Sequence, residues 1–413
     1  MFILFFLPLL VFGANLEVFL PTRDNLTPVY LSGFTGEMRA VLESDLNRSG
    51  VAAVVPREDV LDEALFSAPF DSTLWKKEKI PFCLAAQVVG NRLQMTAFNV
   101  AQGTTKKYAP VPLERQAIHK LADAIQKDLF GEEGISSLRL IYTMRKKNLA
   151  PAPRKLDWLS EVWICDADGM NAVQVTKENS YCLCPGFMPG SATEFFYVSE
   201  KSGQSKIYRA SLAKPTGELW IDLRGNQALA ALRGSKIAFI TDIAGRPDLF
   251  VQSLDAAGRM FGKARQLFSA PRATQASPTF SPDGKKIAFV SDKDGPPRIY
   301  VIDLDVKKAT PQLLTKRNRE NTSPAWSPDG TKLAYSAKVD DIRQIWIYDF
   351  ATGEETALTT GPENKENPSW APDSFHLVYN TENDEHCDLY VMHLGAKEPV
   401  HIGKGRFAAW QQR

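Results

Sequence analysis

Three stretches in the C-terminal half of the chain repeat one arrangement of polar and apolar positions. Ser277-Pro278-Thr279-Phe280-Ser281-Pro282-Asp283-Gly284 precedes Lys286-Ile287-Ala288-Phe289-Val290-Ser291. Ser323-Pro324-Ala325-Trp326-Ser327-Pro328-Asp329-Gly330 precedes Lys332-Leu333-Ala334-Tyr335-Ser336. Asn367-Pro368-Ser369-Trp370-Ala371-Pro372-Asp373-Ser374 precedes His376-Leu377-Val378-Tyr379. Each leads into a second short apolar strand: Arg298-Ile299-Tyr300-Val301, Gln344-Ile345-Trp346-Ile347 and Asp388-Leu389-Tyr390-Val391. Weaker copies lie upstream, around Leu138-Arg139-Leu140-Ile141-Tyr142, Phe195-Phe196-Tyr197 and Lys236-Ile237-Ala238-Phe239. One aromatic marks the later strand of every unit: Trp163, Tyr208, Phe250, Tyr300, Trp346 and Tyr390. A spacing of roughly 40–50 residues is the period of a propeller blade, not of leucine-rich or helical repeats.

The local chemistry agrees. Ser-Pro-Asp-Gly is a type I turn signature: Pro presets φ at the second position and Gly suits the fourth. The Asp side chain can bond the backbone just ahead. The strand that follows is apolar at successive positions, which means burial on both faces. Radially stacked blades provide that burial, and a solvated antiparallel sheet does not. The first unit lacks an opening strand before Leu138, and the chain ends in Arg406-Phe407-Ala408-Ala409-Trp410, an opening strand with nothing after it. The pattern predicts an all-β six-bladed propeller over residues 133–413, closed by the C-terminal strand. The basic stretch 145–154 reads as a loop within the first blade.

Residues 14–132 read as an α/β domain. Met38, Val41, Leu42 and Leu46 keep helical spacing up to Gly50. Residues 51–55 predict a strand, and Val60, Leu61, Ala64 and Leu65 a second helix. Residues 82–89 and 92–98 flank Gly90-Asn91 as a hairpin. Ala117, Ile118, Leu121, Ile125 and Leu129 make an amphipathic third helix.

The first residues bear on compartment. Residues 2–12 form an apolar run followed by Gly13 and Ala14. It is too short for a bilayer, which needs about 20 apolar residues, and has the length of a signal-peptide core. The reading is a signal peptide over residues 1–13, although no Lys or Arg precedes the run. The alternatives are a buried strand or a membrane anchor. No later stretch is suited to membrane insertion. With 49 basic and 48 acidic residues the charge is near balance, which gives no argument for nucleic acid. Five cysteines (Cys83, Cys165, Cys182, Cys184, Cys387) are no disulfide framework. Buried free thiols are expected, with one opportunistic disulfide as the alternative; Cys182 and Cys184 share a side if that stretch is extended.

Catalytic signatures are few. Gly203-Gln204-Ser205-Lys206-Ile207 fails the nucleophile-elbow pattern at its last position. Asp283, Asp329 and Asp373 could suggest a carboxylate ring, but their place in a turn signature points to capping. Four of the five histidines (His376, His386, His393, His401) fall in the last unit, with His119 upstream. His386 beside Glu385 and Cys387 offers one metal reading; solvated strand and loop histidines are the expectation. No cofactor, metal or enzymatic activity is expected. The alternative is a secreted propeller peptidase or carbohydrate lyase, and a third reading is a scaffold with unrelated partners.

An α/β domain ahead of six such repeats, behind a signal peptide, resembles the TolB family, periplasmic propellers of the Tol-Pal system. The resemblance rests on residues 42–50 and 118–125, on Trp163-Ile164-Cys165-Asp166-Ala167-Asp168-Gly169, on the two Ser-Pro-Asp-Gly units and on Ala371-Pro372-Asp373. It implies a monomeric adapter that binds the lipoprotein Pal at one propeller mouth and TolA through its mature N-terminus, supporting outer-membrane integrity and constriction at division. The Pal contacts it implies lie just before each Pro-x-aromatic strand. Here these are Arg272, Thr274, Gln275 and Ala276; Arg319, Glu320, Asn321 and Thr322; and Lys365, Glu366 and Asn367. The implied TolA element is Leu16, Glu17, Val18, Phe19 and Leu20, whose alternation also suits a permanently paired edge strand. Ala231-Leu232-Arg233-Gly234 and Met188-Pro189-Gly190 depart from the turn tetrad.

Overall fold

The computed structural model describes residues 26–67, 70–149, 157–383 and 386–413. The leader and Leu16–Leu20 lie outside the described residues. No helix among the described residues is long and apolar enough to cross a membrane.

The N-terminal domain is a mixed sheet with helices on both faces. Strand β1 (Thr27–Ser32) runs parallel to both β2 (Ala52–Val54) and β3 (Phe82–Val89). β4 (Arg92–Asn99) forms the expected hairpin with β3, and β5 (Thr104–Lys107) and β6 (Val111–Pro112) pair with β4. Helices α1 (Glu37–Arg48) and α4 (Arg115–Phe130) enclose a core of Leu31, Leu42, Leu84, Leu93, Ile118 and Ile125. α2 (Asp59–Phe66) and α3 (Ser72–Lys77) cover the other face with Leu65 and Trp75. β1 shows the two-residue period: Val29 and Leu31 enter the first core, and Tyr30 enters the second. α4 ends on Gly131, whose φ of 73° allows its N–H to reach Lys127 O at 2.9 Å.

Six four-stranded antiparallel sheets follow. Blade 1 combines the C-terminal strand Arg406–Trp410 with β7 (Arg139–Lys147), β8 (Trp158–Asp166) and β9 (Val173–Gln174). Blades 2 to 6 span residues 182–219, 227–268, 275–313, 320–357 and 364–404. The apolar second strands are buried on both faces, as their composition requires. In blade 4, Ile287 and Phe289 pack with Ala238 and Ile240 of blade 3, while Ala288 and Val290 pack with Leu333 and Tyr335 of blade 5.

The turn residues act as caps. Asp283 Oδ1 accepts from Lys285 N at 3.0 Å and Asp329 Oδ1 from Thr331 N at 3.0 Å. Gly284 and Gly330 close the turns with N–H bonds to Ser281 O and Ser327 O. Where the tetrad is missing in blade 3, Arg233 faces Lys236 and the strands join through Gly234-Ser235. Of the stretch 145–154, Arg145 to Lys147 belong to β7, so the loop begins later than the composition suggested.

Every innermost strand carries the same irregularity. Cys184, Leu229, Ser277, Ser323, Asn367 and Phe407 all have φ between 45° and 55°. The ladder register slips at each of these points. A bulge leaves one residue unpaired, which tolerates the Pro that follows in four blades because Pro has no N–H to give. These bulges ring a cavity of about 240 Å³ on the propeller axis. They also break the alternation expected at Cys182 and Cys184: Cys182 is buried and Cys184 only partly so, across a register slip. All five cysteines are free thiols.

Candidate protein-binding site

The three loops singled out in the sequence lie at the same end of blades 4, 5 and 6, but their side chains divide into two sets. Arg272, Thr274 and Arg319 are exposed. Ala276, Glu320, Thr322, Glu366 and Asn367 are half-buried. Gln275, Asn321 and Lys365 are buried, and they hold the loops in shape instead of facing solvent. Gln275 accepts from Ser291 Oγ at 3.0 Å, and Asn321 donates to Thr315 Oγ1 at 3.0 Å. Lys365 Nζ donates to the carbonyls of Thr360 and Glu363 at 2.9 and 3.3 Å. Burial lowers the pKa of that ammonium.

Arg343 organises two of the loops and was not anticipated. Its Nε lies 3.1 Å from Glu366 Oε1 and its Nη2 3.6 Å from Glu320 Oε2. Nη1 donates to Thr322 Oγ1 at 3.2 Å, and its backbone N–H donates to Asn364 Oδ1 at 2.8 Å. One guanidinium thereby ties the blade 5 loop to the blade 6 loop. Burial raises the pKa of Glu366, against the pull of Arg343. Farther round the ring, Arg406 pairs with Glu382 at 3.0 Å. Ser323 Oγ and Asn367 Oδ1, 3.1 Å apart, join blades 5 and 6 nearer the axis.

The α/β domain sits at the opposite end. His376 faces His393 in the blade 6 ladder, whereas the loop residue Asn364 faces Glu382 at the far end of the same blade. His376 Nε2 is 2.9 Å from the carbonyl of Arg48, the last residue of α1. Its Nδ1 is 2.5 Å from Asp373 Oδ2. Gly50 packs onto His393. On blade 1, Arg115 of α4 bonds to Asp168, and Gln116 donates to Ser137 O at 2.9 Å. His376 and His393 are therefore buried at 2% and 4% exposure, not solvated as their strand and loop positions suggested. The connection between the domains is pinned by Asp123, which accepts from Ser136 N at 2.7 Å and Ser137 N at 3.1 Å.

His119, fully buried, lies under this contact. Its Nδ1 is 2.6 Å from Asp45 Oδ2, and its Nε2 is 3.9 Å from Asp168 Oδ2. Burial opposes the charged ring, but Asp45, backed by Asp168 and Asp166, outweighs it and raises the pKa. His119, Asp166 and Asp168 are also the group of potential metal ligands found among the described residues. Asp168 Oδ2 already accepts from the guanidinium of Arg115.

Residues 127–413 match the family model described as the TolB beta propeller domain. The chain belongs to the TolB family. A protein named Protein TolB homolog from Protochlamydia amoebophila is 42% identical over 380 residues, 84% of this chain and 80% of that one. Its namesake from Chlamydia caviae is 38% identical over 297 residues, 69% and 68% of the two chains. The crystal structure of TolB from Acinetobacter baumannii matches with a TM-score of 0.79 over 95% of this chain and 98% of that one. At 24% identity that likeness speaks to the fold. In this TolB-family chain, then, the sequence located the loops but not Arg343, nor the buried histidines of the domain contact. An arginine opening a strand after a loop carries no distinguishing local signal.

Proposed function

We propose that this TolB-family chain is a periplasmic adapter without catalytic activity of its own, working in a Tol-Pal envelope system. Its partners are the lipoprotein Pal, bound at the propeller mouth remote from the α/β domain, and TolA, engaged by Leu16–Leu20. Through them it supports outer-membrane integrity and constriction during division. The observation that carries the reading is the division of the propeller's two ends. One is occupied by the α/β domain, and the other is left to loops whose exposed Arg272, Thr274 and Arg319 surround a shaped polar ring. Such a polar rim is typical of interfaces that form and separate.

The test is calorimetric binding of the mature chain to the Pal and TolA of the same cell. Replacing Arg272, Thr274 and Arg319 together should weaken Pal binding and leave both the melting temperature and TolA binding in place. Unchanged Pal affinity would move the site off this mouth. A mature chain that binds neither partner would overturn the adapter reading.

A further inference from the structure

His119 has one ring nitrogen held and one left over. The ring is fully buried. Its Nδ1 is 2.6 Å from Asp45 Oδ2, and Asp45 Oδ1 in turn accepts from Arg48 Nη2 at 2.8 Å. Nε2 is buried as well but makes no hydrogen bond among the described residues. Burying a polar atom without a partner is costly, so a nitrogen left this way marks a place where a ligand would be welcome. With the Nδ1 proton given to Asp45, Nε2 presents its lone pair towards Asp168, whose Oδ2 is 3.9 Å away.

Two carboxylates converge on that lone pair. Asp166 and Asp168 flank Ala167 in the turn between β8 and β9, and each has an oxygen within 4.8 Å of a His119 ring nitrogen and of the other carboxylate. The turn is fixed by its own bonds. Gly169 N donates to Asp166 O at 2.9 Å, Met170 N to Asp168 Oδ1 at 3.0 Å, and the Asn171 amide to Asp166 Oδ2 at 2.7 Å. A carboxylate has about four lone-pair positions, so these donors and Arg115 leave both groups able to take a further ligand. Arg115 is not confined to Asp168, since Glu37 Oε1 is also within its reach at 3.3 Å.

An imidazole nitrogen with two carboxylate oxygens suits a divalent ion of the zinc class. Zn²⁺ binds His and Asp at about 2.0–2.2 Å, so two bonds span about 4 Å and the three donors need to close only slightly. Ca²⁺ and Mg²⁺ favour shells made of oxygen alone. The bond from Nδ1 to Asp45 is the outer-shell carboxylate contact that orients a metal-binding imidazole. A cavity of about 930 Å³ between blades 1 and 2, lined by Asp166 together with the exposed Val173 and Lys177, opens a route from solvent and room for a water on the ion.

We propose that His119, Asp166 and Asp168 bind one divalent ion of the zinc class, with Asp45 orienting the imidazole. His119 comes from α4 and the two carboxylates from blade 1, so the ion ties the α/β domain to the propeller. The negative field that favours a proton on the ring favours the ion at the same place, and the ion takes the proton's position on Nε2.

Calorimetric titration of Zn²⁺ alone into the mature chain, first freed of metal by a chelator, tests this. The wild type should bind one equivalent and melt at a higher temperature with zinc than without, as any ligand of the folded state requires. His119→Gln and Asp166→Asn should each lower zinc affinity by roughly a hundredfold or more, and Asp45→Asn by about 10–100-fold, the scale of an outer-shell partner. Co²⁺ in place of zinc should give a visible ligand-field spectrum that is lost in His119→Gln. Ca²⁺ and Mg²⁺ should not compete. If the variants do not fold, nitrogen-15 NMR of the wild type decides: zinc should move the Nε2 resonance of His119 while Nδ1 keeps its proton. A wild type that takes up no zinc, zinc affinity undiminished in both His119→Gln and Asp166→Asn, equal competition by Ca²⁺, or a His119 resonance indifferent to zinc would each overturn the proposal.

Discussion

Trp410, in the last strand of the chain, lies directly opposite Leu140 in the first strand of the propeller. Its side chain is 1% exposed and packs in one cluster with Leu140, Tyr142, Cys165 and Val378. The ring is held shut by this non-covalent pairing. Trp410→Ala should cost about 3–5 kcal/mol, the usual range for emptying a large aromatic site. Deleting residues 406–413 should cost more, since it also strips β7 of a neighbour and exposes an edge that can pair with other chains. Denaturant unfolding measures the first, and light scattering the aggregation expected of the second. A truncated protein that melts like the full-length one would refute closure by this strand.

Gly50 is needed for the two domains to meet. A Cβ built there would lie 2.4 Å from three ring atoms of His393, and φ is +72°. Gly131 has nearly the same φ, +73°, with nothing within 4 Å of the built Cβ. Both alanine variants carry the left-handed strain of about 1–2 kcal/mol. Only Gly50→Ala should also disturb docking, so its melting temperature should fall further than that of Gly131→Ala. Equal losses would mean that the domain contact adjusts freely at this point.

The blades were legible because each is built from local signals: a turn tetrad, an apolar strand buried on both faces and a marker aromatic. α1, α2 and α4 were legible from their spacing. β1 was not anticipated, because Val29-Tyr30-Leu31 is a short apolar run in a central parallel strand, without alternation to announce it. α3 is too brief to show a period. His376 was misjudged for another reason. The carbonyl it meets, that of Arg48, is remote in sequence and comes beside it only when the two domains dock.

Asp373 should set part of the acid limit of stability. Burial acts to raise its pKa, but His376 and the N–H groups of Phe375 and His376 outweigh it and hold the carboxyl below its ordinary 3.8. A depressed folded pKa means a contribution complete above 3.8 and lost as pH falls through the folded value. Asp373→Asn should lower stability at neutral pH by about 1–3 kcal/mol, the scale of a hydrogen bond to a charged group. It should also flatten the acid limb of a stability–pH curve. An unchanged acid limb would assign the effect to other carboxylates.

Arg343 separates the shape of the mouth proposed to bind Pal from its contacts. Arg343→Met keeps the bulk of the stem and removes every bond of the guanidinium to Glu320, Thr322 and Glu366. The blade 5 and blade 6 loops lose their common anchor, and two half-buried carboxylates lose their cation. Pal affinity should fall by roughly tenfold, equivalent to about 1.4 kcal/mol. The loss should come with faster loop amide exchange in the free protein. Arg319→Ala, at an exposed position, should weaken binding without that change in exchange. Identical exchange in Arg343→Met and wild type would show that the loops keep their shape unaided.

The start of β1 lies beside the contact between the α/β domain and blade 6. Thr27 N donates to Val51 O at 2.9 Å, so the chain enters the domain beside the residue that follows Gly50. That point adjoins the contact with blade 6. β1 already has β2 on one side and β3 on the other, so its hydrogen-bonding edges are taken. Leu26, just ahead of β1, is exposed at 37%. Leu16, Val18 and Leu20 alternate with Glu17 and Phe19, which equips the segment to add a strand to another protein's sheet. Removing residues 15–20 should therefore abolish TolA binding in a calorimetric titration, with Pal affinity and melting temperature nearly unchanged. Because β1 begins beside the domain contact, Gly50→Ala should shift TolA affinity although it alters no residue of the segment. TolA binding that survives the deletion at full strength would place the TolA site elsewhere on the surface.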